Sequence, residues 1–139
     1  MNKLINIIFL SIFSFSMSSD VINDSIEKNS QIFENVALEI WEYAELGYLE
    51  NKSSKLLADT LQENGFKITK GVAGIPTSFI AEFNNGGPVI GILGEFDALP
   101  GLSQTTAPFK EIAINDTNAG HACGHHLFGA SSAWAAVAV

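Results

Sequence analysis

A chain of 139 residues, 47% hydrophobic and 16% charged, has room for one folded domain and is too apolar to be disordered. Its net charge of −8, with seven lysines and no arginine, excludes the basic surface that nucleic acid or an anionic membrane would require. The single cysteine, Cys123, excludes an internal disulfide.

Lys3 precedes a run of Leu, Ile, Phe and Ser from Leu4 to Met17, closed by the small-residue stretch Ser16-Met17-Ser18. The run is shorter than the ~20 apolar residues of a membrane span. It has the charged start, apolar middle and small end of a signal peptide over residues 1–18, and so predicts export to the periplasm or secretion. The alternatives are an uncleaved anchor or a buried first helix; without a cleaved leader the protein would be cytoplasmic. Residues 19–139 are then the folded part.

Ser25 to Leu46 predict an amphipathic helix, with Ile32, Val36 and Ile40 every four residues and Phe33, Ala37, Trp41 and Ala44 beside them. Gly47 is placed to end it. A second helix is expected from Ser53 to Asn64, burying Leu56, Leu57 and Leu61 and stopped by Gly65. Phe66–Thr69 and Thr77–Phe83 alternate like strands, and Asn84-Asn85-Gly86-Gly87 has turn chemistry. Pro88–Phe96 contains the unbroken apolar run Val89-Ile90-Gly91-Ile92-Leu93, which predicts a strand in the middle of a sheet covered on both faces, hence α/β. Asp97 stands at the end of that strand, where open α/β sheets bind ligands. Residues 98–120 read as a long loop. From Leu127 the chain is apolar on nearly every side and predicts a buried helix. With no cap before Val139, that helix is expected to continue in further sequence, which makes the chain a fragment.

His121-Ala122-Cys123-Gly124-His125-His126 is the densest chemical signal. Thiolate and imidazole are preferred zinc ligands. Cys123 and His125 are two residues apart and share a side only on extended backbone, which predicts a loop site just before the last helix. From these residues alone three readings stay open. They are a buried cysteine among hydrogen-bonded histidines, a metal site and a Cys–His nucleophile; a redox pair would need a second cysteine.

Three segments together resemble the aminoacylase and carboxypeptidase-type family of two-metal peptidases, metallopeptidase family 20, over about residues 30–139. Ala44-Glu45-Leu46-Gly47-Tyr48-Leu49-Glu50 is similar to the family's P-E-L-G-x-x-E. Gly94-Glu95-Phe96-Asp97-Ala98-Leu99-Pro100 is similar to its D-x-D-A-L-P, and His121–His126 to its H-A-C-G-H-D. Glu95 stands where many relatives carry Asp or His, and His126 where another branch carries Asp. These departures look like the p-aminobenzoyl-glutamate hydrolase branch.

The resemblance implies a three-layer α/β/α catalytic domain, of which this chain supplies the amino-terminal part without the lid or dimerisation domain. It implies two divalent ions, zinc or manganese with cobalt as a further choice, and Cys123 and His125 as metal ligands. Asp97 would be the carboxylate that orients a ligand, with His126 either orienting or structural and His121 structural. The implied substrates are a small N-acyl amino acid, aminobenzoyl-glutamate or a dipeptide. A homodimer is implied for the full-length protein, and the piece by itself is expected to be inactive. The competing expectation is a non-catalytic relative that binds a metal or ligand without turnover.

Overall fold

The computed structural model describes residues 2–114 and 117–139, with side chains from Asp20 onward. The signal-peptide expectation for residues 1–18 therefore lies outside the residues whose side chains are described. Among the described residues no helix is long and apolar enough to cross a membrane.

The elements, in chain order, are α1 (Asn2–Tyr43), α2 (Asn51–Glu63), β1 (Lys67–Lys70), β2 (Phe79–Glu82), β3 (Leu99–Pro100), β4 (Ala119–Gly120) and α3 (His125–Ala138). Helix α1 buries Phe33, Val36, Ala37 and Ile40, the i, i+3, i+4, i+7 pattern of one helical face. Ile32, expected on that stripe, is 48% exposed, one residue off the buried face. Ala44, in the left-handed region at φ 41°, turns the chain out of α1, so Gly47 is not the terminator that the sequence suggests. Helix α2 buries Leu57 and Leu61, and Gly65 at φ 90° ends it as expected.

The core lies where α1, α2 and α3 meet. Phe33 stacks on Trp134 at 5.9 Å between centroids, and Leu57, Leu61, Ala130 and Ala133 close around them. Strands β1 and β2 form an antiparallel hairpin, with Lys67 opposite Glu82 and Lys70 opposite Phe79. Ile68, Phe79 and Ala81 lean from it onto the same core. A second antiparallel pair joins β3 to β4, with Leu99 opposite Gly120, inside the stretch expected to be all loop.

The central-strand expectation fails. Val89–Leu93 lies outside any strand, with Val89 99% and Leu93 75% exposed. A strand exists only through backbone pairing, and β2 pairs with β1. Among the described residues no other strand runs alongside this segment. It is held instead by α3, whose Ser132 hydroxyl donates to the Leu93 carbonyl at 2.7 Å. A Cβ on Gly129 would stand 2.9 Å from the Glu95 carbonyl oxygen, so glycine permits this approach. The sheets present are two-stranded and antiparallel, and α/β describes the chain at that coarse level.

Helix α3 buries Gly129, Ala130, Ala133 and Ala138 but leaves Leu127 and Phe128 exposed, so it is covered on one face and not all round. It also starts at His125, two residues before the expected Leu127.

Candidate functional site

The three sequence segments converge in space. Helix α1 ends at Tyr43, and the following turn brings Leu46 beside Ala98 in a single parallel bridge. The Ala98 amide donates to the Glu45 carbonyl at 2.7 Å. A Cβ on Gly47 would lie 3.7 Å from Asp97 Oδ2, so the first segment backs directly onto the second. The third segment meets both. His121 Nε2 lies 3.0 Å from the Ile40 carbonyl near the end of α1, and His125 reaches Asp97.

The acidic residues of the first segment have structural roles that sequence reasoning missed. Glu45 accepts hydrogen bonds from the Lys52 and Ser53 amides and the Ser53 hydroxyl at 2.8–3.0 Å. It thereby satisfies free N–H groups at the start of α2, where a carboxylate also meets the helix dipole favourably. Glu50, only 7% exposed, accepts from the Thr77 hydroxyl at 2.6 Å and the Tyr48 amide at 3.0 Å. The available clue was Glu45 lying a few residues before Ser53-Ser54 at a helix start. No local signal pointed to Thr77.

Thr77→Val would leave a buried Glu50 oxygen short of its donor, whereas Thr77→Ser keeps it. Losing one partner of a buried pair costs about 1–3 kcal/mol. Urea denaturation is expected to show that loss for valine and most of it recovered for serine. Equal midpoints for valine and the parent would remove Thr77 from this role.

The centre of the site is one imidazole between two carboxylates. His125 Nδ1 lies 2.8 Å from Asp97 Oδ1, and its Nε2 lies 2.9 Å from Glu95 Oε2. A neutral imidazole has one N–H and one lone pair. It can donate to only one of the two carboxylates, so the other contact is favourable only with a further cation there, a second proton or a metal ion. The orientation matches a ligating histidine whose second nitrogen is fixed by a carboxylate. The His125–Asp97 pair thus fits a divalent ion in donor chemistry.

Cys123 is exposed on the turn before α3. Gly124, at φ 84°, makes the bend, and its carbonyl accepts from the Leu127 and Phe128 amides to open the helix. His125 is therefore the first residue of α3, on the helix and not in the loop that was expected. Among the described residues no group of three or more His, Cys, Asp or Glu side chains is arranged to hold an ion. His121 is buried and packs against half-buried His126, the two rings tilted by 50° with centroids 5.0 Å apart. Burial pushes the pKa of both below the ordinary imidazole value. The Ile40 carbonyl opposes that shift at His121, and the His121 charge reinforces it at His126. Neutral, packed rings of this kind suit a supporting role.

No protein-family model matches the chain. Individual proteins do. The chain is 42% identical over 118 residues to one of the p-aminobenzoyl-glutamate hydrolase polypeptides of Escherichia coli (strain K12), covering 85% of the chain and 24% of that protein. It is 36% identical over 88 residues to thermostable carboxypeptidase 1 of Saccharolobus solfataricus, covering 62% of the chain and 21% of that protein. It is 32% identical over 93 residues to hippurate hydrolase of Campylobacter jejuni, covering 67% of the chain and 24% of that protein. The chain spans about a quarter of the length of the curated relatives it matches.

Proposed function

The chain belongs to the aminoacylase and carboxypeptidase-type metallopeptidase family, and from that membership we propose that the whole protein is a metal-dependent hydrolase of amide bonds in small N-acyl amino acids. The observation that carries the reading is His125, anchored through Nδ1 by Asp97 with its other nitrogen facing a second carboxylate. The substrate class follows from the relatives' names, which specify aminobenzoyl-glutamate and hippurate, both an acyl group joined to an amino acid. A dipeptide falls in the same class through the carboxypeptidases.

His125 and Cys123 would hold metal here, with Asp97 fixing the His125 ring and tautomer. Divalent ions in such a site polarise an amide carbonyl and supply a water nucleophile near neutral pH. Thiolate with imidazole favours zinc, while manganese and cobalt are compatible with the same donors. Asp97 would accept a hydrogen bond from Nδ1–H and so leave the Nε2 lone pair available to a metal ion. The buried ring of His121, with half-buried His126 packed on it, would support the segment from behind. The remaining ligands and the proton-accepting group would come from polypeptide beyond this chain's quarter of the relatives' length, so residues 19–139 alone would not turn over substrate.

The same reading extends to architecture and location. The helices and short strands here would be the amino-terminal part of a three-layer α/β/α catalytic domain. A lid and dimerisation domain would come from elsewhere in the polypeptide, and the protein would work as a homodimer. The leader-like residues 1–18 would direct export.

The test is hydrolysis of N-acyl amino acids by the full-length protein before and after chelation. Activity is expected to vanish with chelator and to return with zinc, manganese or cobalt. Activity that survives chelation but is lost on alkylation of Cys123 would replace this reading with thiol catalysis. Metal binding without any hydrolysis across the class would make the protein a non-catalytic relative.

A further inference from the structure

We infer that Asn85 is a site of spontaneous deamidation, and that the fold protects the other Asn-Gly pair of the chain, Asn64-Gly65, from the same reaction. The inference is independent of the metal-dependent reading above.

In this reaction the main-chain nitrogen of the residue after an asparagine attacks the side-chain Cγ. The nitrogen gives up its proton to solvent, and the side-chain amide leaves as ammonia. Water then opens the five-membered succinimide at either carbonyl, which yields aspartate or isoaspartate. A following glycine presents its nitrogen without a shielding Cβ and lets the backbone swing into the attacking geometry. The chain has two such pairs, Asn64-Gly65 and Asn85-Gly86. They are equivalent as sequence, and the structure separates them.

Asn64 closes α2. Its side-chain amide donates to the Thr60 carbonyl at 2.8 Å, which holds the side chain back along the helix. The Gly65 nitrogen, which would have to attack, donates to the Gln62 carbonyl at 3.0 Å. A Cβ on Gly65 would stand 3.5 Å from the Phe83 ring, so the glycine is also packed. Ring closure there breaks both hydrogen bonds and unwinds the end of α2.

Asn85 lies in the turn after β2, exposed and outside any helix or strand. Among the described residues its side chain has no hydrogen-bond partner. The Gly86 amide donates to the exposed Asn84 side chain at 3.1 Å, a contact that water replaces at little cost. Gly86 and Gly87 have φ of 77° and 93°, and a Cβ on either would meet nothing within 4 Å. The succinimide at Asn85 therefore forms in open space with no packed neighbour to displace. Asn84 is the poorer target on the same turn, because the residue after it carries a side chain. Reaction at Asn85 adds a negative charge to the turn. In the isoaspartyl product the main chain runs through the side-chain carbon, which lengthens the link between β2 and the segment that carries Glu95 and Asp97.

The experiment stores the folded full-length protein at neutral and mildly alkaline pH, digests it at lysine and follows the peptides by mass spectrometry. Asn64 and Asn85 fall in separate peptides, 56–67 and 71–110, and fragmentation that distinguishes isoaspartate locates the change. Asn85 is expected to convert at least about tenfold faster than Asn64, because two hydrogen bonds stand between Asn64 and reaction. The rate at Asn85 should rise with pH, since the attacking nitrogen must lose its proton. In denaturant the two pairs should convert at similar rates, which assigns the difference to the fold. Asn85→Gln, at an exposed turn position, should leave the turn unmodified. Modification that persists in this variant would move the site to Asn84 and overturn the assignment. Equal rates at Asn64 and Asn85 in the folded protein would overturn it too, as would an Asn85 that reacts only in denaturant.

Discussion

His125→Ala is expected to strip metal from the full-length protein and to abolish hydrolysis. This side chain ties the third motif segment to the second, with Nδ1 on Asp97 at 2.8 Å and Nε2 on Glu95 at 2.9 Å. Removing it deletes a donor and leaves two carboxylates facing a space with no cation, a like-charge arrangement that opposes the folded site. Removing a group that only orients a ligand costs about 10- to 100-fold in affinity or activity, so loss of the ligand should exceed that range. Asp97→Asn, which weakens the anchor and keeps the imidazole, should fall inside it. Cys123→Ser should also lower metal content sharply, because a hydroxyl is a poor substitute for a soft thiolate. Metal analysis of the purified variants with parallel rate measurements checks the order. If His125→Ala retained metal at the parental level, the ligand assignment would be wrong whatever the rates showed.

Local patterns made parts of this fold legible in the sequence. Phe33, Val36, Ala37 and Ile40 share a helical face because their spacing puts them there, and the hairpin of β1 and β2 follows the alternation at 66–69 and 77–83. The resemblance implied only that Asp97 orients some ligand; that its partner is His125, 28 positions away with no local rule to join them, is legible in the tertiary structure alone. Three features were not legible, each for a physical reason. Val89–Leu93 has strand composition, but strand formation depends on a neighbour and not on composition. Ala44 ends α1 in a left-handed conformation that its residue type does not favour, because the turn is fixed by packing at Ala44, Ala98 and Ala119. The start of α3 at His125 depends on Gly124 bending the chain two residues earlier than hydrophobic periodicity shows. Glu95 registered only as a departure from a motif, and its contact with His125 needed the tertiary arrangement.

Gly120→Ala is expected to be the most destabilising single-methyl addition in the chain. Gly120 is buried in β4 opposite Leu99, and the next residue, His121, is pinned to the Ile40 carbonyl. A Cβ there would lie 2.1 Å from the Leu102 carbonyl oxygen, 2.8 Å from its carbon and 3.2 Å from Ser103 Cα. All three atoms are backbone, so no rotamer change relieves the clash, and β3 with its following turn must move bodily. Overpacking a core usually costs about 1–3 kcal/mol because side chains can partly adjust. Without that relief the loss should lie at or above the upper end. The displaced strand would also carry His121 away from α1 and loosen the segment that presents Cys123 and His125. Gly91→Ala is the matched control. It lies on exposed chain, a Cβ there meets nothing within 4 Å, and its cost should stay within about 0.5 kcal/mol. Urea midpoints at unchanged slope measure both. Similar midpoints for the two variants would mean that the Leu102–Ser103 backbone after β3 does not approach Gly120 this closely.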